Sequence, residues 1–171
     1  MNAQERREAL YALLRKAGEP VTGTALARTF QVSRQVIVQD VALLRACGHD
    51  IVSTADGYLV RTSFETRPSR VFACQHVGME ALRRELEIIV DHGGLVRDIV
   101  VEHPVYGELR GLLMLSSRKR VEDFIQKPGW QDATPLSSLT GGIHLHTVEA
   151  ETEAELDAVE TALREAGFLM S

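Results

Sequence analysis

The most constraining stretch of this chain is TGTALARTFQVSRQVIVQDVALLRACG, residues 22–48. Thr22 suits the start of a short helix whose Leu26, Ala27 and Phe30 face inward. QVS is too short for anything but a tight connection. Ser33 then starts a second helix, with Val36, Ile37, Asp40, Val41, Leu43 and Leu44 following and Gly48 as its stop. Ahead of this pair, Ala9, Leu10, Leu13, Leu14 and Ala17 repeat at the helix period until Gly18 and Pro20 end them. Behind it, HDIVSTADGYLVR reads as two short strands around Ala55-Asp56-Gly57, a hairpin turn signal. Helix, helix, tight turn, helix and hairpin is the order of a winged helix-turn-helix, expected over residues 1–61. In that arrangement the helix after the turn enters the major groove of DNA with its first residues on base edges. Here those residues are Ser33, Arg34, Gln35 and Gln39: Arg pairs with guanine, Gln with adenine, and Ser with phosphate or base. A plain three-helix packing module is the competing reading of the same pattern.

The net charge of −5 argues against a nucleic-acid partner only as an average. Residues 1–61 carry 8 basic and 6 acidic side chains, a net +2, and residues 62–171 carry 11 and 18, a net −7. A basic first third permits local DNA contact. No stretch approaches the roughly 20 apolar residues of a membrane helix. The charged, amphipathic start MNAQERREALYALL is unlike a secretory signal. The two cysteines fit a reducing cytoplasm, the expected location. Cys47 reads as a core residue at a helix end, and Cys74, two residues before His76, as structural, with a place near a site as the alternative.

TSFETRPSR, residues 62–70, reads as a polar linker, and a second domain is expected over 71–171. Its elements run strand (RVFACQH), helix (GMEALRRELEIIVDHGG), two strands (LVRDIVVEHPV and GELRGLLML), helix (SRKRVEDFIQK), a long loop, strand (GIHLHTVEA), helix (TEAELDAVETALREAGF) and a final FLM strand. A Thr152-x-x-Glu155 capping box opens the last helix. The fold class that follows is α+β: a winged helix-turn-helix, then an antiparallel or mixed sheet covered by helices.

Two features of the second domain carry chemistry. In GGIHLHT, residues 141–147, strand alternation places His144 and His146 on one face, roughly 7 Å apart at twice the strand rise. Two imidazoles so placed can converge on one metal ion, or stand as surface histidines on a half-exposed strand. His76 precedes a helix carrying Glu80, Glu85 and Glu87; three imidazoles and one carboxylate suit Zn, Ni or Fe as divalent ions. Spacing alone does not bring His76 to the other two. In VEHPVYGELRG, His103, Tyr106 and Arg110 offer a stacking surface, a hydrogen-bond donor and a cation, the mix a pocket for a small aromatic acid requires. The plainer reading is a β-turn set by Pro104 and Gly107 with His103 capping the strand.

VEHPVYGELRG, GGIHLHT and the isolated QH before a helix, placed after a helix-turn-helix, resemble the 3H family, named for its three histidine positions. The resemblance covers nearly the whole chain. It implies a repressor, responsive to nicotinic acid, of NAD biosynthesis and niacin-uptake genes. It also implies a metal held by His76, a helix glutamate, His144 and His146, with nicotinic acid as co-repressor beside it. Against the family spacing there is one extra residue between His76 and the Glu-Leu of the helix. Aligning on Glu-Leu selects Glu85, while Glu80 is the reserve, because one residue turns a helix position by about 100°. The expected partners are operator DNA and a second copy in a homodimer, without a membrane. A metal-responsive regulator and a metalloenzyme acting on a pyridine carboxylate derivative are the alternatives. No second carboxylate or nucleophile accompanies the metal set, so the chain is expected not to be an enzyme.

Overall fold

Side chains of Asn2, Thr22 and Ser33 each accept a backbone N–H three residues on and so start the three helices of the first unit. In this computed structural model, which describes residues 1–61 and 67–171, these are α1 (Ala3–Ala17), α2 (Gly23–Phe30) and α3 (Arg34–Ala46). Gly18 ends α1 in the left-handed region, and Gln31 takes that conformation, at φ 53°, in the tight turn between α2 and α3. The hairpin pairs β1 (Ile51–Thr54) with β2 (Gly57–Val60). It is tied back to the α1–α2 connection by hydrogen bonds both ways between Val21 and Tyr58. Gly57 is required there, because a Cβ would sit 2.3 Å from the Val21 carbonyl oxygen.

Leu10, Leu14, Leu26, Ile37, Val41, Leu44, Ile51 and Val60 form the core of this unit. Asp40 is buried among them, and Arg6 reaches across from α1 to bind its carboxylate at 2.6 Å. A buried carboxylate needs such a partner. Leu43 is half-exposed, because the inward stripe runs through Ile37, Val41 and Leu44 and leaves its neighbour turned aside. One expectation fails at the end of α3. Cys47 is exposed, because it lies beyond the last helical residue, Ala46.

The chain divides into two compact units, Met1–Glu65 and Thr66–Ser171. Of the expected linker 62–70, residues 62–66 lie outside the described residues. Ser69 and Arg70 already belong to the first strand of the second unit, so that unit's regular structure begins two residues before the expected 71.

That unit contains β3 (Ser69–Gln75), α4 (Met79–Asp91), β4 (Leu95–His103), β5 (Gly107–Leu115), α5 (Arg118–Ile125), β6 (Ile143–Glu149) and α6 (Glu153–Glu165). Its sheet has the order β3-β6-β4-β5 with every neighbouring pair antiparallel. The order makes β3 parallel to β4 with β6 between them, so the α4 crossover skips a strand, as does the α5 crossover from β5 to β6. The long loop before β6 holds two short 3-10 helices, Pro128–Gln131 and Leu136–Thr140. The expected final strand is reduced to a single bridge between Leu169 and Cys74. Thr152 and Glu155 form the expected capping box on α6. Among the described residues no helix is long and apolar enough to cross a membrane.

This topology puts chemistry where a core belongs. α4 lays Leu82, Glu85, Leu86 and Ile89 inward as one stripe. On the sheet, Phe72 and Cys74 of β3 and His144, His146 and Val148 of β6 are buried, while Ile143 and Leu145 are exposed. The usual alternation of β6 is therefore inverted, with imidazoles inside and aliphatic side chains outside.

Candidate metal centre

Two buried histidines on one strand face require polar partners. The first layer of partners is backbone. His144 Nδ1 lies 2.8 Å from the Gly142 carbonyl oxygen, and His146 Nδ1 lies 2.7 Å from that of Asp98. A carbonyl only accepts, so each ring carries its proton on Nδ1 and donates it there. Each Nε2 is thereby turned the other way, toward α4.

Glu85 meets them. His144 Nε2 lies 3.1 Å from both of its carboxylate oxygens, and His146 Nε2 lies 3.3 Å from Oε2. His76, just past the end of β3, brings its Nε2 to 2.6 Å from the same Oε2. The set is sealed: the side chains of Glu85, His144 and His146 have no exposed surface, and that of His76 is 7% exposed. Glu80, the reserve carboxylate, is exposed on α4 and does not enter. Between His76 and α4 the chain passes through Val77 and Gly78, where Gly78 takes a left-handed φ of 90°.

Burial pushes the Glu85 carboxyl up, but the charge of His146 and the hydrogen bonds of His144, His146 and His76 outweigh it and hold it well below the usual carboxylate range. His146 shows the reciprocal effect. Burial pulls its imidazolium down, and the Glu85 charge, with further help from Asp98, raises it above the ordinary histidine value. Three Nε2 atoms around one carboxylate have two ways to balance charge: protons on the rings, or a cation among the lone pairs. The second is the donor set of a divalent metal, three imidazole nitrogens and a carboxylate oxygen, with the backbone carbonyls orienting two of the rings. His76 Nδ1 is buried and has no partner among the described residues.

Asp98 is the residue that sequence reasoning missed. A register irregularity in β4 around it takes its carbonyl out of the ladder and toward His146. Its carboxylate, also fully buried, accepts the Thr147 N–H at 2.9 Å and pairs with Arg110. An aspartate in the middle of the apolar run LVRDIVV was the available signal. Arg110 consequently is no free cation, since Asp98 and Glu108 both engage it. His103 accepts the Val105 and Tyr106 N–H groups on Nδ1 and its ring lies 5.1 Å from that of Tyr106, which is exposed. The residues of the expected trio His103, Tyr106 and Arg110 stand at two places on the hairpin. The first two form the β-turn at the end of the hairpin, while Arg110 stands farther down β5 opposite Val100.

In the first unit, Ser33 is spent partly as the α3 cap, and Arg34, Gln35 and Gln39 are exposed along the first turns of that helix.

Comparison with known proteins bears on both units. Residues 69–171 match the 3H domain and residues 6–59 match an HTH domain. Over 167 residues the chain is 41% identical to a Thermotoga maritima protein described as a probable transcription repressor, NiaR, covering 98% of this chain and 94% of that one. It is 42% identical over 168 residues to the transcription repressor NadR of Bacillus subtilis, covering 96% and 93%. A stretch of 100 residues is 34% identical to an uncharacterized protein of Methanothermus fervidus, 16% of whose length it covers.

The approach of His76 depends on Gly142, whose φ is +95° and whose Cβ, if present, would lie 2.3 Å from the His76 carbonyl oxygen. Gly142→Ala is expected to cost more than the about 1–3 kcal/mol of an unfavourable backbone conformation alone. Gly141→Ala, at φ +63° with open space around it, is expected to cost only that strain. Chemical denaturation of both variants measures the difference; equal losses would mean that the backbone of Gly142 does not abut that of His76.

Proposed function

The chain belongs to the 3H family, and from that premise we propose that it is a metal-containing repressor which nicotinic acid engages at operators of NAD biosynthesis and niacin-uptake genes. It is a transcription regulator with a DNA-binding helix-turn-helix domain and not an enzyme, as its relatives over nearly the full length are transcription repressors. The names of those relatives point toward nicotinate and NAD. The observation that carries the metal is the meeting of three imidazole Nε2 atoms on one buried carboxylate. His76, Glu85, His144 and His146 are its ligands, and Zn, Ni or Fe suits this nitrogen-rich set. When bound, the cation supplies a positive charge to which a pyridine carboxylate is attracted. His76 is the ligand nearest solvent, which makes its side of the site the entrance. Asp98 and Arg110 act behind the centre, as the pair that keeps His146 in position, rather than on the effector.

On DNA, α3 supplies the reading residues. Arg34, Gln35 and Gln39 contact bases, and Ser33, its hydroxyl already accepting the Val36 N–H, donates to a phosphate. A homodimer presents two such helices to two half-sites. Nicotinate then acts by binding the DNA-competent state better than the other.

Arg34→Ala and Gln35→Ala are each expected to weaken specific operator binding by about 1–3 kcal/mol with little change on unrelated DNA. Unchanged operator affinity in both variants would remove α3 from the reading role.

Nicotinate is expected to tighten operator binding of the metal-loaded protein by a factor in the range of about 5–150, and DNA to tighten nicotinate binding equally. Nicotinamide, lacking the carboxylate, is expected to do much less. In His146→Ala the coupling should vanish while weak DNA binding persists. Equal action of nicotinamide would contradict the charge argument, and an operator response to metal but not to nicotinate would make the protein a metal sensor instead.

A further inference from the structure

Cys74 stands directly opposite His144 in the β3–β6 ladder, so the two side chains leave the same face of the sheet. His76, two residues on, continues that face of β3, as His146 continues that of β6. Adjacent strands thus present Cys-x-His beside His-x-His, with Glu85 of α4 laid over them. The Cys74 sulfur, a carboxylate oxygen of Glu85 and a ring nitrogen of His144 lie within 4.8 Å of one another. Cys74 has no exposed surface. A buried structural cysteine behaves as a small hydrophobe among hydrophobes, whereas this one faces a carboxylate and an imidazole. The nearby His76 ring is nine-tenths buried and leaves its Nδ1 without a partner among the described residues, so nothing but Glu85 ties its polar atoms in place.

We propose that Cys74 Sγ is a further protein donor to the metal held by His76, Glu85, His144 and His146, making the centre a mixed sulfur, nitrogen and oxygen site. The inference rests on the metal reading above and extends it to selectivity. As the metal–sulfur bond forms, the S–H bond breaks and its proton leaves to solvent; the metal keeps its oxidation state and no other reactant is consumed. A thiolate beside three imidazoles disfavours Mg and Mn, which prefer oxygen ligands, and favours zinc, nickel, cobalt and ferrous iron.

Cobalt(II), titrated into the chelator-treated full-length protein under reducing conditions, tests this by its near-ultraviolet sulfur-to-cobalt charge-transfer absorption. The wild type and Cys47→Ser are expected to bind cobalt and develop the band. Cys74→Ser should bind cobalt through the remaining donors without the band, and at least about tenfold more weakly, the least that loss of a supporting partner costs. Because the wild-type spectrum needs no variant, a Cys74→Ser protein that fails to fold leaves the test intact. Cobalt bound by the wild type without the band would overturn the role of Cys74 while leaving the metal centre standing. A band lost in Cys47→Ser and kept in Cys74→Ser would overturn it too. A wild type that binds no cobalt would overturn the metal reading itself, and this inference with it.

Discussion

A carboxylate removed entirely from water must be compensated or it will not remain charged, and Glu85 is compensated by three imidazoles, two on β6 and one just past the end of β3. The arrangement of the second unit follows from that requirement. β6 turns its histidines inward, at the expense of leaving Ile143 and Leu145 toward solvent. The crossover through α4 brings Glu85 down on the pair β3–β6, because skipping a strand sets β6 beside β3 under the helix. The inward stripe of α4 then fixes the depth of the carboxylate, with Leu82 and Leu86 packed on either side. A buried ionic cluster of this kind adds little stability over an apolar core of equal volume, and removing one member is costly.

Local signals were legible in the sequence to the extent that a side chain acts on its own neighbourhood. Thr22, Ser33 and Thr152 cap the helices they were expected to cap, since each needs only the N–H three residues ahead. The alternation rule put His144 and His146 on one face, but did not say that this face is the inner one. That depends on which strand lies beside β6 and which helix lies above it. The choice of Glu85 over Glu80 came from the family resemblance and agrees with the geometry, in which only Glu85 reaches the rings.

What stayed hidden is what spans long separations or breaks a regular pattern. Arg6 and Asp40 are 34 residues apart, and nothing near either one names the other. Asp98 orients His146 through a backbone carbonyl freed by an irregular stretch of strand, and a carbonyl is common to every residue type. The same aspartate takes up Arg110, a pairing across two strands that the hairpin motif alone does not announce. Cys47 shows the limit of helical periodicity: one position past the last helical residue, it is exposed.

The central claim, that Glu85 and the three histidines around it constitute a metal site, is tested most directly by anomalous diffraction from crystals of the purified protein, measured on both sides of the absorption edge of the metal it carries. A single strong anomalous peak is expected, with His76 Nε2, His144 Nε2, His146 Nε2 and a Glu85 carboxylate oxygen each at about 2.0–2.2 Å from it. Crystals of protein supplied with zinc, nickel and iron that show no anomalous peak among these four side chains, with Glu85 still in direct contact with all three rings, would contradict it.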